Sequence, residues 1–102
     1  MAQLTDEQVQ QIDSLKEVIS TAKHDTIKIN ALVAWDNIIY ASDPELDLEL
    51  NQQILDVCET NLKNELNVFE LNKFKKLLTN SLNNIGLIYS NQGNYEKALE
   101  YY

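Results

Sequence analysis

The sequence predicts an all-α fold of antiparallel helical hairpins, about five helices in a single domain, the last of them incomplete. Three observations predict it. The chain has 102 residues, enough for one modest core. It holds only two glycines and one proline, too few breakers for a turn-rich β fold. Its apolar residues recur at intervals of three and four rather than two.

Thr5 with Gln8 three residues later resembles a capping box, and Val9, Ile12, Leu15, Val18, Ile19 and Ala22 follow at helical spacing, so a first helix is expected near 6–23. Lys23-His24-Asp25 interrupts the pattern, and Asp25 is a suitable cap for the next helix. There Ile29, Leu32, Val33, Ile39 and Tyr40 form one stripe and Ala31, Ala34, Trp35 and Ile38 another. A helix apolar on two faces is sandwiched between neighbours. Ser42-Asp43-Pro44-Glu45 reads as a stop and restart, with Asp43 as N-cap and Pro44 in the first turn, where its missing N–H costs nothing. Leu46, Leu50, Ile54, Val57, Cys58, Leu62 and Leu66 carry a third helix to about residue 66.

Asn67 with Glu70 is another capping pair, after which Leu71, Phe74, Leu78, Leu82, Ile85 and Tyr89 run along one side of a long fourth helix over 68–91. Asn91-Gln92-Gly93-Asn94 is a turn, in which glycine supplies a positive φ and Asn94 caps a fifth helix from Tyr95. The domain 1–102 thus divides into an N-terminal helix (1–25), a hairpin (26–66), and a long helix with the start of its partner (67–102).

The net charge is −8, with −6 concentrated in residues 42–61 and +2 in residues 62–80. A surface this acidic argues against nucleic acid as a partner. All eight basic residues are lysine, so the bidentate arginine forks that grip phosphates and carboxylates are missing. Cys58 is alone, which rules out an internal disulfide or a multi-cysteine metal site. No run of 18 apolar residues is present, so no direct membrane contact is expected, and Met1-Ala2-Gln3 has neither a basic nor an apolar leader segment.

Neither a nucleophile-and-base pair, a glycine-rich phosphate loop nor paired metal ligands can be found. No catalytic residue, metal or cofactor is predicted, and the chain is not expected to be an enzyme. Asp43, Glu45, Asp47 and Glu49 alternate as in a calcium loop, yet no glycine stands at the sharp turn and the segment reads as an acidic helix start. His24 has no second histidine or cysteine nearby and is read as a cap or surface residue. Trp35 and Cys58 are read as core. Lys73, Lys75 and Lys76 form the only basic cluster, beside Phe69 and Phe74, and read as a solvated face open to an acidic partner.

Gly86 stands in mid-helix, where alanine would add roughly 1 kcal/mol of stability to an exposed site. Two helices joined by a short turn pack closely only where bulky side chains are missing. Gly86 and Ala98, one on each side of the turn, are the small residues that fit, with Leu82, Ile85, Tyr89, Tyr95, Leu99 and Tyr102 placed to fill the space around them. The series Leu82, Ile85, Gly86, Tyr89, Gly93, Tyr95, Ala98 and Tyr102 resembles the tetratricopeptide repeat signature. That resemblance implies hairpins stacked as a right-handed α-solenoid. Laying Asn30 to Asn51 on Ser81 to Tyr102 pairs Asp43 with Asn94 and Glu45 with Glu96 but sets Trp35 on Gly86 and Asp47 on Ala98, so the first hairpin is expected to be a degenerate repeat.

The chain as a whole, including "TAKHDTIKINALVAW" and its "SDPE" turn, is similar to the N-terminal stretch of bacterial tetratricopeptide-repeat sensor proteins, often histidine kinases or transcription regulators. A signal peptide commonly precedes this region in them, and Ala2-Gln3 suits the residues around a cleavage site, with Met1 then a later addition. The compartment stays open between the periplasmic part of a membrane-attached sensor and the cytoplasm.

What the resemblance implies is binding. Positions matching groove-facing ones are Asn80, Asn83, Asn84, Leu87, Ser90 and Asn91, and asparagine both donates and accepts hydrogen bonds. The expectation is a protein-protein interaction module that takes a peptide or protein partner along a concave helix-lined face, within a larger signalling protein. The alternative is a non-binding cap or spacer of a longer solenoid that passes a signal to a downstream kinase or DNA-binding domain. The incomplete fifth helix is expected to leave Tyr95, Ala98, Leu99 and Tyr102 poorly covered and to favour self-association.

Overall fold

The computed structural model describes residues 3–64 and 67–101. Five helices hold 84% of them, with no strand among the described residues, so tertiary stability rests on helix-on-helix packing. The helices are α1 (Asp6–Thr21), α2 (Asp25–Ile39), α3 (Pro44–Leu62), α4 (Val68–Asn91) and α5 (Tyr95–Tyr101). The chain divides into two compact units, Met1–Leu50 and Asn51–Tyr102, with the boundary inside α3.

In the first unit α1 begins with the expected box: Gln8 N–H donates to Thr5 Oγ1 at 3.1 Å, and Thr5 N–H donates to Gln8 Oε1 at 2.9 Å. The helix ends at Thr21, two residues before the expected end near residue 23. Ser20 and Thr21 hydroxyls both donate to the Glu17 carbonyl at 2.9 Å, which engages an acceptor of the last turn and lets the chain turn extended at Ala22. α1 packs on α2, burying Ile12, while Val9 and Val18 stay exposed. Ile29, Ala31, Leu32 and Ile39 of α2 are buried as expected, whereas Ala34, Trp35 and Ile38 are only half-buried. Tyr40 lies past the helix end and is 62% exposed, so it leaves the stripe the spacing assigned it to.

The N-cap of α2 is His24 rather than Asp25. No side-chain cap bond is made there; the His24 carbonyl accepts from Ile27 and Lys28 N–H at 3.1 and 3.2 Å. Asp25 stands instead in the first turn, where the helix dipole favours an acid. Asp43 caps α3 as expected, its Oδ1 accepting from Leu46 N–H at 3.1 Å, with Pro44 the first helical residue. α3 is helical to Leu62; Asn61 Nδ2 donates back to the Val57 carbonyl at 2.8 Å near its end. The expected continuation to Leu66 runs onto residues 65–66, outside the described residues.

In the second unit Asn67 caps α4 by accepting from Glu70 N–H at 2.8 Å. The other end closes on Gly93, whose φ of 80° is the left-handed conformation that glycine adopts without strain. Gly93 N–H donates to the Ser90 carbonyl at 3.0 Å and Asn94 N–H to the Tyr89 carbonyl at 2.9 Å. These two bonds make a Schellman turn. Asn94 then caps α5, accepting from Lys97 N–H at 3.2 Å. Seven residues cannot hold a helix alone, and α5 packs on α4, with Gly86 buried on one and Ala98, 3% exposed, on the other.

Ala98 is therefore covered, contrary to the expectation that it would stand open, while Tyr95 (67% exposed) and Leu99 (73%) stand clear of the contact they were assigned to fill. Tyr101 takes that place, stacked on Tyr89 at 5.7 Å between ring centroids. Tyr102 lies outside the described residues. Because Gly86 is buried on the helix that receives α5, Gly86→Leu is expected to destabilise the protein by about 1–3 kcal/mol through overpacking. Urea unfolding measures it; a variant at least as stable as the parent would show the crossing to have room for a side chain.

Candidate binding surface

α4 is a 24-residue helix, and its buried residues fix which way the rest point. Phe74, Ser81, Ile85, Gly86 and Ile88 are buried, with Leu71, Leu78, Leu82 and Tyr89 half-buried at their flanks. The opposite side must then reach solvent. Asn80, Asn83, Asn84, Leu87 and Asn91 are exposed and Ser90 is half-buried. The helix thus brings all six expected site residues to its outer side. Among the described residues Asn80, Asn83 and Asn91 have side-chain amides without a hydrogen-bond partner, and Leu87 is 53% exposed.

Asn84 differs from the others. Its Nδ2 donates to Asn51 Oδ1 of α3 at 3.1 Å. Asn51 is 1% exposed, and a buried amide must be hydrogen-bonded, so the pair ties α4 to the part of α3 within this unit. Sequence reasoning missed it because 33 residues separate the two and nothing in local periodicity links them. At the far end the Tyr89 ring meets both the Tyr101 ring and the Lys97 ammonium, the latter 5.2 Å from its centroid. That contact braces the turn following Asn91.

In the first unit Trp35 is half-buried and borders a depression of about 210 Å³ with Ile12, Lys16 and Asp43 among its walls. Lys16 Nζ lies 5.3 Å from the Trp35 ring centroid. The Trp35 Nε1 is nevertheless buried without a partner, as is one carboxylate oxygen of Asp36. An N–H already closed off from solvent is closed to a ligand as well, so it adds no donor to the depression.

Cys58 is fully buried, and that burial, with a smaller push from the adjacent Glu59 carboxylate, raises its thiol from 9.0 to about 11. At neutral pH it is a protonated core residue and no nucleophile. Asp43, whose alternation with other acids resembles a calcium loop, is engaged as the α3 cap, as the reading of an acidic helix start expected.

The tetratricopeptide repeat family model matches residues 79–102, from the middle of α4 through α5. Nothing among curated proteins or solved structures matches the chain. The match supports a protein that carries this repeat, a non-catalytic helical unit associated with protein-protein interaction.

The buried thiol has a measurable consequence. Below pH 9.0 the thiol is protonated in both folded and unfolded chains and its contribution to stability is intact; above that the unfolded thiol ionises first, so stability falls as pH rises towards about 11. Urea midpoints should fall more steeply between those values for the parent than for Cys58→Ala, and a disulfide reagent at pH 8 should label the native protein far more slowly than the urea-unfolded one. Rapid native labelling would contradict the burial.

Proposed function

We propose that this protein is an interaction module that holds a peptide or protein segment along the outer side of α4, through Asn80, Asn83, Leu87, Ser90 and Asn91. The observation that carries the reading is the row of unpaired asparagine amides around an exposed leucine on a helix whose other side is buried. Such amides can pair with a peptide backbone in either sense, while Leu87 offers apolar contact. Binding is an equilibrium with no covalent step. The family match supports an interaction role, and we extend it to a module within a larger signalling protein on the sequence's resemblance to the N-terminal stretch of bacterial sensor proteins.

Twelve-residue peptides selected on the protein from a random library provide the test. Asn80→Ala, Leu87→Ala and Asn91→Ala are each expected to weaken a selected peptide by about threefold to tenfold, the size of one exposed hydrogen bond or one partly buried apolar contact. Calorimetric titration reads it. Affinity unchanged in all three variants would remove the outer side of α4 as the binding surface.

Tyr95 and Leu99, four residues apart and thus on one side of α5, are both exposed, which supports a second contact by which copies of the chain associate. Sedimentation should show association that grows with concentration and is lost in Leu99→Glu. A strict monomer up to millimolar concentration would refute it.

A further inference from the structure

The solvent side of α4 does not begin at the repeat. Phe69, Lys73 and Lys76 precede Asn80, Asn83, Leu87 and Asn91 at steps of four, three, four, three, four and four residues, which keeps all seven on one side of a helix with 3.6 residues per turn. Phe69 is 78% exposed, Lys76 is exposed and Lys73 half-buried, so the geometry agrees with the spacing. Phe74, the other aromatic beside the lysines, is fully buried and belongs to the opposite side.

Two features set this extension apart from an ordinary solvated surface. In a chain of net charge −8, residues 62–80 alone are positive, and none of Lys73, Lys75 and Lys76 makes an ion pair among the described residues. A large aromatic ring also stands in water one turn from Lys73 and two turns from Lys76. Carboxylates beside an apolar side chain complement this pair of features in both sign and polarity. An anionic lipid surface does not, because the chain carries net negative charge and the rest of the stripe is three asparagines and a single leucine.

We propose that Phe69, Lys73 and Lys76 form the charge-reading end of the α4 surface, and that its partner is an extended acidic peptide whose apolar residue covers Phe69 and whose carboxylates meet the two lysines. This rests on the reading of the asparagine row as a binding surface. From Phe69 to Asn91 the stripe rises about 33 Å, the span of roughly ten extended residues. The lysines and phenylalanine select the segment; the asparagines hold its backbone.

Lys75 supplies the control, since it neighbours Lys76 in sequence, is equally exposed, and points about a quarter-turn or more away from the stripe. Peptides selected from the random library on the parent protein are expected to be enriched in Asp and Glu near an aliphatic or aromatic residue. For such a peptide at low salt, Lys76→Glu should weaken binding about tenfold, Phe69→Ser about as much, and Lys75→Glu less than about twofold. Thermal unfolding verifies that these exposed substitutions leave the fold intact.

Equal losses for Lys75→Glu and Lys76→Glu would reduce the effect to diffuse attraction and overturn the proposal. So would a selected pool without acidic enrichment; if its affinity still depended on Asn80, Leu87 and Asn91, the broader reading would survive. Concentration-dependent dimerisation abolished by Lys76→Glu would assign the stripe to a second copy of the chain and overturn the peptide assignment. Acidic peptides sensitive to Lys76 but indifferent to the asparagines would uphold the charge-reading end while removing the broader reading.

Discussion

The second unit turns on the rotation of α4 about its own axis. Phe74, Ser81, Ile85 and Ile88 are buried and recur at steps of seven, four and three, so the helix can seat in only one orientation without exposing Phe74 and Ile85 together. A twist of a quarter-turn would carry the asparagines towards the core, where each unpaired amide costs roughly 1–3 kcal/mol. Burial on one side and desolvation on the other thus enforce the same angle. The make-up of the outer side is a consequence of that angle, because no loop contributes to it.

The ends of α4 are held by different means. At its start a single asparagine side chain closes the first turn. At its finish the Schellman bonds around Gly93 reverse the chain within three residues and deliver α5 back along α4. α5 is too short to be helical unaided, so its order is borrowed from the surface it covers, through Ala98 and the Tyr89–Tyr101 stack. Gly86, costly to a free helix, belongs to the same arrangement: its hydrogen in place of a side chain leaves room on the helix that α5 overlies.

Much of this is written locally in the chain, and the local parts are the legible ones. Thr5, Asp43, Asn67 and Asn94 cap helices by hydrogen bonds spanning three residues, so reading them needs no knowledge of the fold. Errors begin where two local signals compete, as when Ser20 and Thr21 end α1 ahead of its apolar pattern, or where His24 rather than Asp25 takes the cap. They grow where the answer depends on a distant neighbour. Nothing near Tyr101 distinguishes it from Tyr95 as the ring that packs, and nothing near Asn84 announces Asn51. The outer row was legible because the repeat signature orients α4; its continuation through Phe69 and Lys76 keeps the same spacing, but those residues precede the signature and their exposure is what shows that the side stays open there.

The amide pair between Asn84 and Asn51 makes the outer row unequal. A visiting carbonyl finds both amide donors open at Asn80, Asn83 and Asn91, whereas at Asn84 one of the two is already given to Asn51. Drawing Asn84 away would cost the buried Asn51 oxygen the donor that Asn84 supplies, a cost the other asparagines do not carry. Contact is therefore easiest along the outer edge and resisted at the margin next to α3, which gives a passing strand a preferred lane.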